Sequence, residues 1–220
     1  MKILAWHFCD VNSEGKPILR NGELAGSPGG TEIYNGTLKM CESGLHASIN
    51  ILNALSYAPC SYLRRVECSE GVLGGDKLVC RRRKILAVAN MEKSLHEFAC
   101  RCAERALRVA NVTDTRYFAA IEAKRAWLRG DIGSRELAAA WAAACAAARD
   151  AAKAAACAAA CAAARDATCA AAWDATCAAA KAAACAATCA AAKAAAWDTE
   201  RQWQAEELEK MFWKIANKEN

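Results

Sequence analysis

The alternation of apolar and polar positions changes character near residue 133. Ahead of that point the pattern is mixed. Ile3-Leu4-Ala5-Trp6-His7-Phe8 reads as a strand, and residues 12–44, with their glycines and Pro28, read as turns and short strands. Ser48 reads as the N-cap of a helix that runs to Tyr57 and stops before Pro59. Tyr62 to Cys68 and Leu78 to Ala89 read as strands on either side of Gly74-Gly75-Asp76, a hairpin turn. Helices follow at about Met91 to Val109 and Thr113 to Arg129. Strands first and helices after is the α+β order. Residues 1–133 are therefore expected to form a small mixed head domain.

After Ser134 the pattern becomes periodic in a different way. From Trp141 through Trp173 to Trp197, every fourth position holds Trp, Cys, Arg or Lys, and almost everything between is Ala. Alanine is the best helix former, and neither Gly nor Pro occurs after Gly133. The expectation for residues 134–220 is one long Ala-rich helix with a four-residue repeat, about 120–130 Å if continuous. Four residues advance by about 400°, so the row of large side chains winds around the helix and leaves no fixed apolar face. From Glu200 to Lys218 the repeat gives way to an amphipathic end with Trp203, Leu208, Met211, Phe212 and Ile215 at helical spacing. The large apolar residues Trp141, Trp173, Trp197, Trp203, Met211 and Phe212 are the expected oligomerisation surface. The plainer alternative is a low-complexity expansion tolerated because Ala helices are harmless.

Charge follows the same division. Residues 1–134 carry 19 Lys+Arg against 14 Asp+Glu, whereas residues 135–220 carry 10 of each, so the net charge of +5 lies in the head. That excess permits weak attraction to phosphate but is far from the basic stripe of a dedicated nucleic-acid binder. No apolar run of membrane-spanning length and no export signal is evident, which leads us to expect a soluble, cytoplasmic protein without a membrane partner. The fourteen cysteines then belong to a reducing compartment. Those of the head lack metal-ligand spacing, Cys100 and Cys102 fall on different sides of a helix, and Cys157/Cys161 and Cys185/Cys189 supply only half a zinc site each. Cysteine is read as a small hydrophobe, with no metal and no cofactor expected.

Candidate chemistry is confined to the head. His7 and His46 sit at strand or turn positions where a catalytic imidazole could stand, with Glu42, Asp76 and the Arg81-Arg82-Arg83-Lys84 run as possible partners. No phosphate loop, nucleophile elbow or zinc-protease motif connects them. On a strand, Arg81 and Arg83 point to one face and Arg82 and Lys84 to the other, so one pair must meet the core side or an edge. The functional alternative for Arg81, Arg82, Arg83 and Lys84 is phosphate contact.

Cys41-Glu42-Ser43-Gly44-Leu45-His46-Ala47-Ser48, followed by Ala54-Leu55-Ser56-Tyr57-Ala58, Gly75-Asp76-Lys77-Leu78 and Phe98-Ala99-Cys100-Arg101-Cys102-Ala103, resembles a family of uncharacterised phage and bacterial proteins. Their short head carries the Gly-Leu-His-Ala-Ser pattern and often continues into Ala-rich repeats. The resemblance implies a phage-encoded setting, and hence host-cell cytoplasm, but no mechanism. The leading expectation is a non-catalytic phage-type accessory protein whose head binds a host or phage protein and whose helix is a spacer or homo-oligomerisation element. The alternatives are a nucleotide- or NAD-handling enzyme in the head, and nucleic-acid binding through Arg81 to Lys84.

Overall fold

A computed structural model describes residues 2–19, 22–150 and 194–218. The chain divides into two compact units, Met1–Glu92 with Leu208–Asn220, and Lys93–Glu207. The first is built on six antiparallel strands: β1 (Lys2–Val11), β2 (Pro17–Ile18), β3 (Thr31–Ile33), β4 (Leu45–Ala47), β5 (Tyr62–Gly74) and β6 (Lys77–Asn90), with one short helix, α1 (Ile51–Ser56). The order across the sheet is β2-β1-β5-β6-β3, and β4 also pairs with β6. β5 and β6 form a long hairpin closed by Gly75-Asp76, with Gly74 opposite Lys77 and Gly75 at φ 64°. Ser48, just beyond β4, exchanges both backbone hydrogen bonds with Trp6 of β1, so the sheet curls into a half-barrel. That bridge occupies the backbone of Ser48, and α1 starts later than its sequence suggests. Asn50 is the N-cap, its side chain accepting from the amide of Leu52 at 2.8 Å.

Inside the curl, Ala5, Ala47, Val66, Cys68, Leu78 and Cys80 form an apolar cluster. Small side chains suit the concave face, and the cysteines there are free thiols acting as apolar filling. A bulge at Leu86 shifts the β5–β6 register, since Arg65 faces Ala87 but Val66 faces Ile85. Beyond the bulge Arg83 and Ile85 share the inner face with Val66 and Cys68. The outer face carries Trp6 and Arg65, which are opposite each other on β1 and β5. Phe212 stands edge-on to Trp6 with ring centroids 5.0 Å apart, and the Arg65 guanidinium lies over the Trp6 ring at 4.3 Å.

The second unit contains α2 (Glu92–Val109), α3 (Thr115–Arg129), α4 (Ser134–Asp150) and the first part of α5 (Ala194–Ala216). Cys100, Ala103 and Leu107 of α2, Tyr117, Ala120 and Ile121 of α3 and Ala144 of α4 are one core cluster, with Trp141 packed against it. Arg125 gathers Glu97, Glu104 and Glu122. On the same helix α2, Arg101 pairs with Glu207 and Arg105 with Glu200, Arg105 also lying over the Trp203 ring at 4.5 Å.

The expected architecture, an α+β head followed by one long Ala-rich helix, is overturned by these contacts. Ala144 shares one core cluster with Cys100, Ala103 and Leu107 of α2, and Glu200 pairs with Arg105 of that same 18-residue helix of about 27 Å. In a continuous helix they would stand about 84 Å apart. The described tail is instead α4, 17 residues long, and α5, 23 residues long, whose C-terminal end joins the sheet unit. Helix propensity is local, whereas the apolar side chains of Leu208, Met211 and Phe212 gain burial only by packing on another surface. The repeat positions from Lys153 to Lys193, Trp173 included, and the side chain of Trp197 lie outside the described residues. Of the other expected oligomerisation residues, Trp141 and Trp203 pack within the helical unit and Met211 and Phe212 are buried within the sheet unit. Among the described residues no helix is long and apolar enough to cross a membrane.

One buried charge in the helical unit makes a testable prediction. Lys124 is 2 % exposed, its ammonium has no hydrogen-bond partner, and it sits 3.9 Å above the Trp127 ring. Burial lowers its pKa from 10.5 to about 8. The unfolded chain therefore binds the extra proton between about pH 8 and 10.5, so the Lys124 contribution to stability rises with pH across that window, by up to about 3 kcal/mol. Buried thiols act in the opposite sense, Cys100 being raised to about 12 chiefly by burial. The difference between wild type and Lys124→Met isolates the lysine. Urea midpoints at pH 7.5 and 10.5 are expected to show Lys124→Met more stable than wild type at the lower pH, with the gap closing at the higher.

Candidate functional site

The register of the sheet brings four polar side chains to the inner face. His7 on β1 is opposite Arg64 on β5, and Glu32 on β3 is opposite Arg83 on β6. Arg64 is fully buried, Arg83 is 2 % exposed, and the Glu32 carboxylate is 9 % exposed. Arg64 donates to Glu32 Oε1 at 2.6 Å, and Arg83 donates to Oε2 through Nε at 2.8 Å and through its terminal nitrogen at 2.7 Å. Arg83 also donates to the carbonyl of His46 at 2.5 Å, which anchors β4 on the cluster. Burial alone would raise the Glu32 pKa, but the charges of Arg83 and Arg64 and their hydrogen bonds outweigh it and hold the carboxyl below its ordinary range. Two guanidiniums and one carboxylate leave a buried excess of one positive charge.

His7 stands on this cluster. Arg64 donates to its Nδ1 at 3.0 Å, and because a guanidinium has only donors, Nδ1 must carry the lone pair. Burial first, then the charges of Arg83 and Arg64, push the His7 pKa well below 6.5. His7 is thus a neutral imidazole whose proton resides on Nε2.

A cleft of about 280 Å³ opens over His7, lined also by Trp6, Cys41, His46, Tyr57 and Lys77 among others. His46 Nε2 accepts the amide N–H of Cys41 at 3.0 Å, placing the proton of the neutral ring on Nδ1. Lys77 donates to Cys41 Sγ at 3.2 Å and lies 4.2 Å over the Tyr57 ring, and the Tyr57 hydroxyl donates to Asp76 at 2.7 Å. The indole N–H of Trp6 is buried without a hydrogen-bond partner. Gly44, just before β4, lets this wall form. It adopts φ 117°, and a Cβ there would come within 2.5 Å of Val79 Cγ2.

Of the residues singled out from sequence, His7 and His46 meet at one cleft, with Asp76 near its rim. Glu42 is not with them; it pairs with Lys39 at 3.4 Å on the surface. The Arg81 to Lys84 run is split by the strand pleat: Arg83 is in the inner cluster, Arg81 donates to the carbonyl of Gly36 at 2.7 Å, and Arg82 and Lys84 are exposed. Sequence reasoning missed Glu32, Arg64, Cys41 and Lys77. Cys41 and Lys77 had a signal, their places in the Cys41 to Ser48 and Gly75 to Leu78 stretches, whereas Glu32 and Arg64 had none. Comparison with protein-family models, curated proteins and solved structures gave no match for this chain.

Proposed function

We propose that the sheet unit is the binding head of a phage-type accessory protein, and that its cleft takes a small phosphate-bearing anion of the nucleotide class. The observation that carries this function is the buried Arg64–Glu32–Arg83 cluster, whose surplus positive charge lies directly behind the neutral His7 on the floor of the cleft. An enclosed positive field acts on a ligand far more strongly than the same charge in water. The donors around it are His7 through Nε2 and the ammonium of Lys77. Tyr57, half exposed beside Lys77, offers an aromatic face of the size a base or sugar would cover. The phage setting is supported by the resemblance of Gly44-Leu45-His46-Ala47-Ser48, of which His46, Ala47 and Ser48 line this cleft.

Calorimetric titration of the full chain with pyrophosphate, AMP and adenosine tests the function. Pyrophosphate and AMP are expected to bind, adenosine at least about tenfold more weakly, and His7→Gln is expected to weaken the anions by about tenfold, or 1.4 kcal/mol. Absence of binding by either phosphate ligand, or equal binding of adenosine and AMP, contradicts it.

A further inference from the structure

We propose that Cys41 is a nucleophile and that the cleft transfers an acyl group from an anionic acyl phosphate to its thiol. The inference rests on the anion site proposed above and names the chemistry that site performs. Cys41 is exposed at the mouth of the same cleft, whereas the described cysteines of the sheet core are buried. The thiolate is the nucleophilic form of cysteine, and Lys77 holds a cation at hydrogen-bond distance from this sulfur. Its backbone is at φ 64°, a left-handed conformation rare for a residue with a side chain. The hydrogen bond from the Cys41 amide to His46 ties the residue in that conformation and fixes the sulfur relative to β4.

The rest of the cleft suits an acyl transfer better than a proton abstraction. No carboxylate lines it, and the Asp76 carboxylate is engaged by Tyr57. His7 and Lys77 are donors that stabilise negative charge developing on a carbonyl oxygen. In the step itself, the Cys41 sulfur attacks the carbonyl carbon of the acyl phosphate, a C–S bond forms and the thiol proton passes to solvent. The bond between carbonyl carbon and bridging oxygen breaks, and inorganic phosphate leaves with the electron pair. Water then adds to the thioester carbon and the C–S bond breaks. The carboxylic acid departs, one proton of water remaining on sulfur and the other released from the acid to solvent. The positive cluster under His7 attracts the phosphate of the donor and so favours an acyl phosphate over a neutral ester.

Acetyl phosphate and the neutral 4-nitrophenyl acetate are the probes, used on the full chain with intact-mass and peptide-mapping readouts. Each rate is taken relative to that of glutathione with the same donor. The expected result is one hydroxylamine-sensitive acetyl group on Cys41, absent in Cys41→Ser, slowed at least about tenfold in Lys77→Met, and competed by pyrophosphate. The enhancement over glutathione is expected to be larger for acetyl phosphate than for the ester. Pyrophosphate titration of Cys41→Ser, where no acylation occurs, separates the two claims. Binding there, with no acetyl on Cys41 of the wild type or with no preference for acetyl phosphate, overturns the nucleophile and leaves the anion site. No binding there overturns the anion site and the nucleophile with it.

Discussion

Replacing Glu32 by alanine is expected to destabilise the sheet unit by about 3–5 kcal/mol. Glu32 is the only acidic member of the cluster, and it holds both Arg64 and Arg83 at hydrogen-bond distance. Its removal raises the buried charge from one surplus positive to two and leaves the ten guanidinium N–H donors of Arg64 and Arg83 competing for the carbonyl of His46 and Nδ1 of His7. Breaking a buried pair is costly because the remaining charge is desolvated without compensation. The same group sets an acid limit. Its folded pKa lies below the ordinary 4.5, so its stabilisation is fully present above that value and is lost as pH falls through the folded pKa. Amide hydrogen exchange of β5 in wild type and Glu32→Ala, at pH 7 and pH 4, reads both effects. The variant is expected to lose protection at pH 7, and the gap to narrow at lower pH. A loss under about 1 kcal/mol at pH 7 would mean that water, not the carboxylate, solvates the guanidiniums.

Phe212→Ala is expected to cost a similar amount, about 3–5 kcal/mol. Phe212 has no exposed surface, meets the Trp6 ring edge-on at 5.0 Å and also touches Trp213 at 5.1 Å between centroids. Truncation removes the transfer energy of the ring and leaves a cavity against Trp6. Phe212→Ala also distinguishes a C-terminal helix packed on the sheet from one projecting as part of a rod. Urea denaturation followed by the near-ultraviolet signal of the packed tryptophans measures it. Phe212→Leu, which keeps most of the volume, is expected to recover more than half of the loss. A rod would show no effect of either change on the sheet.

How much of this was legible depends on which physical rule each feature obeys. The strands around Gly74-Gly75-Asp76 follow from period-two alternation and a turn-forming pair, both local signals. The inner charges are not local. Glu32 and Arg64 are polar residues on strands, and from sequence alone they read as the solvated side of an alternating pattern. Their meeting requires the register Glu32↔Arg83 and His7↔Arg64 together with the bulge at Leu86, none of which one strand encodes. The expectation for Arg81 to Lys84 contained half the answer: the pleat must turn one pair inward, and Arg83 is the residue that meets a carboxylate there. Cys41 and Lys77 are 36 positions apart and come together only because β4 pairs with β6 beside the hairpin turn. In the tail, alanine composition speaks for helix but not for continuity, and the amphipathic end at Leu208 to Ile215 was the sign that part of it would find a packing surface.

The central claim is that a neutral His7, fixed by Arg64, presents its Nε2 proton to an anion in the cleft. Nitrogen-15 NMR of the imidazole side chains, recorded from pH 5.5 to 8 with and without pyrophosphate, tests it most directly. The expected result is a His7 ring that stays in the neutral Nε2–H form over the whole range, with pyrophosphate shifting its Nε2 resonance and leaving Nδ1 on Arg64. A His7 that titrates near 6.5, or whose nitrogens do not respond to pyrophosphate, would contradict it.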